Sequence, residues 1–282
     1  MANSVNTNMG AMIALDSLNK TNASLSVTQK RISTGFRVAD AVDDGAAYAV
    51  AQRVRSDVGA LASANEQLGN VKGLLATTIS GLNNVSTTSI DMRAVLVKLA
   101  DSNTSGNQRT QYTAQYNSLL ANVKSFVQDA SYNGKTLIGN ITGSTGTFTG
   151  VAVIRNEIGA TYGIATFGGS ALFGSMSFTS TQLANATSMA AMITATGQFI
   201  HALDTLGAQL NGYGAATKYV DNQVKYNSSK IDSLNAGLGS LIDADLAKEA
   251  ANLQSLQIRQ QLGTQALSIA NQSPQSLLSL FK

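Results

Sequence analysis

The chain has 282 residues with no cysteine, no tryptophan and one proline, and charged side chains make up only 12% of it. That composition excludes a disulfide framework and thiolate chemistry, and it withholds the bulky aromatics that dominate most globular cores. The net charge of +3 is spread along the chain, which gives no concentrated basic face and argues against a nucleic-acid partner.

Residues 1–9 (MANSVNTNM) are polar, rich in Asn and without periodicity. From Gly10 to Ser33, Ala11, Leu18, Leu25 and Ile32 recur every seven residues, with Leu15 in the adjacent turn. This is the mark of a helix carrying a narrow apolar stripe. The opening lacks the basic start and continuous apolar core of a secretory signal peptide, so no cleaved signal is expected, and export, if it occurs, takes a route that reads something else. No run of about 18 apolar residues occurs, so membrane insertion is not expected either.

Gly35 stands where a left-handed C-cap ends a helix, and Thr34–Asp40 reads as a bend. Asp43 and Asp44 suit the start of the next helix, where carboxylates accept from free N–H groups at the positive end of the dipole. That helix continues without proline to about Ala100, a rod of roughly 85 Å at 1.5 Å per residue. Asp101–Asn107 is a turn cluster, Gln108–Ala130 a second helix running back, and Tyr132-Asn133-Gly134-Lys135 a tight turn.

Between Gly139 and Thr181, nine glycines and short alternations such as Thr147-Phe148-Thr149 predict a small set of β-hairpins. Helix resumes from Gln182 to about Gly207 and from Gln209 to Gly237. Gly237-Leu238-Gly239 reads as a flexible joint, and Asp243 and Asp245 as caps of a helix start. In the last stretch Leu246, Leu253 and Leu267 share one phase with Gln260, while Leu256, Ala270 and Leu277 keep a neighbouring one. Pro274 is expected to stop this helix, leaving Leu277, Leu278, Leu280 and Phe281 as an apolar end.

The other face of that last helix is Gln, Ser, Asn and Thr rather than Glu and Lys, which marks a polymerisation segment covered by other chains. Two such segments at opposite ends match as a coiled coil; on periodicity alone, two ordinary amphipathic core helices fit equally. If they pair, the middle must fold back on itself. The expected fold is mainly α: a long antiparallel helical bundle with terminal coiled-coil helices and a small β-hairpin insert.

Catalytic chemistry is not assembled. The single histidine, His201, sits on a helical face beside Ile200 and Leu203, and no zinc-protease, nucleophile-elbow or phosphate-loop spacing occurs. Asp40, Asp43, Asp44 and Gly45 lack the downstream bidentate acid of a calcium loop, so capping is the better reading. No enzyme activity, metal or cofactor is expected.

Gln29-Lys30-Arg31-Ile32-Ser33-Thr34-Gly35-Phe36-Arg37-Val38, followed by Ala41-Val42-Asp43-Asp44-Gly45-Ala46, resembles the amino-terminal signature of bacterial flagellins, and Asn6-Thr7-Asn8 fits that family's start. Asp243-Ala244-Asp245-Leu246-Ala247-Lys248-Glu249 and Gln265 through Phe281 are similar to its carboxy-terminal signature. The ending and the short insert most resemble alphaproteobacterial flagellins. The resemblance implies residues 1–38 plus 243–282 as an inner coiled-coil domain, 39–138 plus 182–242 as a helical shell domain, and 139–181 as a small outward insert.

It further implies a homopolymer, the extracellular flagellar filament that acts as a propeller for swimming. The implied partners are the flagellar type III export apparatus, hook-associated and cap proteins, and an export chaperone. On this reading Leu15, Leu18, Leu25, Ile32, Leu246, Leu253, Leu256, Leu267, Leu277 and Phe281 carry the polymerisation interface. Arg31, Gly35, Arg37, Asp43 and Asp44 set the joint between shells. The alternative within the same resemblance is a hook–filament junction protein acting as an adaptor. A flagellin with a peptidase in its insert and a soluble helical adhesin are more distant rivals, opposed by the missing zinc motif and the nearly uncharged termini.

Overall fold

The computed structural model describes residues 7–280 and the side chains of residues 7–272. The chain divides into two compact units, residues 1–57 with 232–282 and residues 58–231. Both are built mainly from helices.

The first unit holds α1 (Met9–Thr34), the start of α2 (Gly45–Ala100), the end of α7 (Gln198–Ile242) and α8 (Leu246–Leu280). Each boundary has a local cause. The Asn8 side chain accepts from Ala11 N at 3.1 Å and caps α1, which ends at Gly35 with φ 74° and its N–H on Arg31 O. Asp44 Oδ1 accepts from Ala46 N and Ala47 N at the start of α2, and Asp245 Oδ1 does the same for Ala247 N and Lys248 N at α8. Asp243 instead forms a bridge with Phe36.

The second unit holds the rest of α2, α3 (Gly106–Asp129), four short strands, α4 (Gly169–Met176), α5 (Ser180–Ala184), α6 (Ala186–Met192) and most of α7. Along α2 from Leu61 to Leu99 a seam of buried residues recurs in alternating steps of three and four, as in a coiled coil, and is widened at Leu74, Gly81 and Val95. On α3 the matching residues are Tyr116, Leu120, Val123 and Val127, and on α7 Phe199, Leu206, Tyr213 and Val220 at heptad spacing. Thr78 and Ser89 interrupt the α2 seam but are satisfied within their own helix, donating to Leu74 O and Val85 O. The buried Tyr116 hydroxyl donates to Met176 O at 2.6 Å, and burial pushes its pKa well up.

The insert differs in part from the sequence-based expectation. β1 (Lys135–Thr136) and β2 (Thr147–Phe148) pair in parallel, and only β3 (Val151–Ile154) and β4 (Thr161–Ile164) form a hairpin. The stretch expected to supply further hairpins coils instead into α4, because Leu172 and Met176 lie one turn apart and both bury into the core. The small β insert remains, on a mainly α fold. The β3–β4 loop is fixed to α7 by Asn227, whose fully buried amide donates to Arg155 O at 3.0 Å and Asn65 Oδ1 at 2.9 Å.

Three further expectations are corrected. The helix from Gln182 to Gly207 is broken at Asn185, whose side chain caps α6, and at residues 193–197 before α7. A Cβ at Gly197 would lie 2.3 Å from Met192 O, so only glycine fits that break. Gly237-Leu238-Gly239 is helix rather than a joint, within α7. Pro274 does not stop α8, which continues to Leu280. Proline removes one donor and crowds one carbonyl, and the surrounding turns keep the helical path.

Candidate functional site

The terminal helices α1 and α8 lie antiparallel, joined by polar contacts at both ends and in the middle. Asn8 Nδ2 donates to Ala270 O at 2.7 Å, Gln260 Nε2 to Asn22 Oδ1 at 2.8 Å, and Arg31 Nη1 to Glu249 Oε1 at 3.1 Å. Between these contacts the residues partly removed from solvent step by three and four on both helices. Ala11, Leu18, Leu25 and Ile32 alternate with Ala14, Thr21 and Thr28 on α1. Leu253, Leu256, Gln260, Gly263, Leu267 and Ala270 make up the facing row on α8. Small residues let the helices close up: a Cβ at Gly263 would sit 3.8 Å from Leu18 Cβ, and one at Gly10 would sit 3.9 Å from Ala270 Cβ.

Leu18, Leu25, Ile32, Leu253, Leu256 and Leu267 therefore share one seam. Leu15 and Leu246 stand off it, 47% and 51% exposed. Leu277 lies in α8 with its side chain outside the described residues, and Phe281 lies outside them altogether.

At the bend, the remaining sequence-predicted residues gather in one place. Arg37 N and Val38 N both donate to Ile242 O, Ala244 N donates to Gly35 O, and the Arg37 guanidinium donates to Leu241 O. Val38, Ala47, Ala51 and Ile242 form a small buried core beneath this strap, with Arg55 stacked over the Phe36 ring. Asp43 is tied to Lys30 rather than to a helix end. Lys30 Nζ reaches Asp40 Oδ2 at 2.7 Å and Asp43 Oδ2 at 2.9 Å, while Asp43 Oδ2 also accepts from Ala39 N and Asp40 N. Lys30 holds both carboxyls below their ordinary pKa, and they hold its ammonium above its own.

Sequence reasoning passed over two members of this site. Glu249 is buried, 8% exposed, with Arg31 as its cation, and Lys30 organises the acidic bend. A signal for Glu249 exists: it stands seven residues before Leu256, an acid in an apolar phase. Arg31 Nε is itself buried without a hydrogen-bond partner.

The pair buries only its seam. Met12, Ile13 and Leu15 on α1, and Leu246, Ile258, Leu262 and Ile269 on α8, are exposed apolar side chains. His201 is exposed on α7 at the edge of a shallow groove with Phe167, Leu172 and Gln198, where no other titratable group joins it. Among the described residues no three His, Cys, Asp or Glu side chains converge as metal ligands, and no helix is long and apolar enough to cross a membrane.

Residues 5–142 match the bacterial flagellin N-terminal helical region and residues 193–281 the bacterial flagellin C-terminal helical region. The chain is 34% identical to flagellin FljM of Caulobacter vibrioides over 284 residues, covering 99% of each chain. It is also 34% identical to a flagellin of Brucella melitensis over 286 residues, again covering 99% of each. Flagellin C of Rhizobium meliloti is 28% identical over 321 residues, with the same coverage. Among solved structures, a flagellar hook-associated protein from Vibrio parahaemolyticus superposes with a TM-score of 0.58 at 13% identity, over 71% of this chain and 100% of that one. At that identity the likeness concerns the fold alone.

Proposed function

The chain belongs to the bacterial flagellin family, structural subunits that polymerise into the flagellar filament outside the cell, and from that membership we propose how its residues perform the assembly. The seam of α1 and α8 closes within one subunit, and the exposed apolar rows on the same helices are covered by neighbouring copies. The observation that carries this is the pair's unburied face: Ile13, Leu15, Ile258, Leu262 and Ile269 are each about half exposed or more. Ile258, Leu262 and Ile269, four and seven residues apart, make one exposed apolar row along α8, and such a row marks an association site.

On this reading residues 1–38 with 243–282 form the filament's inner coiled coil, 39–138 with 182–242 a helical shell, and 139–181 the outward insert. Arg31, Gly35, Arg37, Asp43 and Asp44 stiffen the bend where the inner segments give way to the shell. The subunit leaves the cell through the flagellar type III apparatus with the help of a chaperone, and meets hook-associated and cap proteins at the filament's ends. The low charge of both terminal helices supports this, since such helices gain little by folding alone and order on association. The work is mechanical, turning motor torque into propulsion, and a structural role follows from the family.

Purified chain seeded with filament fragments tests the proposal, with electron microscopy and far-ultraviolet circular dichroism read together. Long uniform filaments with helicity rising on assembly are expected. Persistent monomers with fully helical ends would overturn it, because the exposed rows would then have no partner. An I258N/I269N variant separates surface from seam: it leaves α1 against α8 and is expected to abolish seeding.

A further inference from the structure

We propose that the Arg31–Glu249 pair sets the register in which α1 lies against α8. The inference deepens the assembly reading above and rests on it for its consequence. A subunit paired one heptad out of place presents its exposed rows displaced to every neighbour.

The apolar part of the seam does not choose one register. Leu18 and Leu25 stand seven apart on α1, and Leu253 and Leu267 stand fourteen apart on α8 with Leu256 one turn from Leu253, and the residues between are small or polar. A slide of one heptad, about 10 Å along the axis, therefore still sets leucine near leucine. Seams of this kind are the ones in which a single polar position fixes alignment.

The polar contacts are not interchangeable. Starting from the observed pairs Arg31–Glu249 and Asn22–Gln260, a slide in one direction sets Arg31 against Leu256 and Asn22 against Leu267. In the other direction Glu249 meets Ser24, Asn22 meets Leu253 and Gln260 meets Leu15. Both slides strip the buried Glu249 of its cation, and an unpaired buried carboxylate is disfavoured far more strongly than a displaced amide. The Asn22–Gln260 bond and the bond from Asn8 to Ala270 O reinforce the choice but do not make it. The strap at the bend, Gly35 to Ala244 and Arg37 to Ile242, is the competing device, since it holds one end of the pair by backbone bonds alone.

Because the chain has no cysteine, introduced pairs report register without interference. In the full-length chain L18C/G263C reads the observed register, since the two Cβ positions lie 3.8 Å apart, the usual separation in a disulfide. L25C/G263C and A11C/G263C read the two one-heptad slides. Cross-linking is followed by gel mobility on seeded assemblies and on unassembled chain.

With Arg31 and Glu249 intact, only L18C/G263C is expected to close. In an R31M/E249L background the share of the slipped pairs is expected to rise at least about tenfold, and an R31E/E249R exchange to restore selectivity. Unchanged selectivity in R31M/E249L would overturn the proposal and assign register to the strap. Equal closure of all three pairs in the parent chain would overturn it too. Absence of filaments with selectivity intact contradicts the assembly reading alone.

Discussion

Leu267→Asp tests whether the α1–α8 seam holds the assembled subunit together. Leu267 is half-buried on α8 between Gly263, which lies against Leu18, and Ala270, which lies against Gly10. Full burial of a leucine contributes about 1.5–3 kcal/mol, so a half-buried one forfeits about 1 kcal/mol on removal. The incoming carboxylate, with no cation opposite it in the seam, adds a desolvation cost of about 2 kcal/mol or more. A total of about 3 kcal/mol corresponds to about a hundredfold in an association equilibrium. The assay is the critical concentration for seeded assembly, measured by sedimentation. Leu267→Asp is expected to raise it about a hundredfold, while Leu267→Met, which conserves volume, shifts it by less than about tenfold. Assembly of Leu267→Asp at the parent's critical concentration would refute the assignment of this face to a seam. Adding Leu253→Asp is expected to abolish filaments outright.

Within the second unit, Gly169→Ala is expected to destabilise by about 1–3 kcal/mol, because its Cβ would stand 2.0 Å from Ile138 O and 2.4 Å from Val127 Cγ1. Urea denaturation reads this, and recovery by V127A should be only partial since the backbone oxygen stays in place. Tyr116→Phe leaves Met176 O without its buried donor and is expected to cost about 1–3 kcal/mol in the same melt; a neutral result would mean that another donor replaces it. Ser105→Ala removes one half of the Ser105–Gln108 capping box of α3 and is expected to cost about 1 kcal/mol. At the bend, Asp40 and Asp43 have lowered pKa values, so their contribution is present above the ordinary 3.8 and is lost as pH falls through the lowered values. Lys30, whose pKa is raised, contributes fully below 10.5 and loses its contribution only as pH rises beyond that. The amide resonance of Ala39 should therefore shift only below pH 3.8 in the parent, and a midpoint above that value would contradict the Lys30 ties.

The long helices were legible because their burial is one-dimensional. A seam stepping by three and four along α2, or along α1 and α8, writes itself into the sequence as a heptad regardless of what lies opposite. Local backbone chemistry was equally readable at Gly35, at Asp44, and at Asn133-Gly134, where φ values of 49° and 73° make the two-residue turn closed by Tyr132 and Lys135. The residues around Gly169–Met192 were not, because their short helices depend on burying Leu172, Met176 and Leu183 into a core that belongs to distant helices. Asp43 misled for a different reason. Its carboxylate has the composition of a cap, and only the arrival of Lys30 from thirteen residues back turns it into an anchor. Which polar side chain on α8 meets Arg31 is likewise a fact of the fold, although an acid in an apolar phase was there to be noticed.

The brevity of the strands has its own consequence. Strand edges are templates that any other chain can extend, and a protein whose work is to associate with itself at high density runs that hazard at every encounter. Here β1 and β2 have two residues each and β3 and β4 four, with Lys135 at one end of the first ladder and Arg155 just beyond the end of the second. Runs that short, flanked by cations, are poor seeds for cross-β growth. Most of the exposed large apolar side chains among the described residues lie on helices, whose backbone groups are already satisfied and which can meet another copy only through side chains in a defined alignment. A chain partitioned in this way can be crowded without gelling.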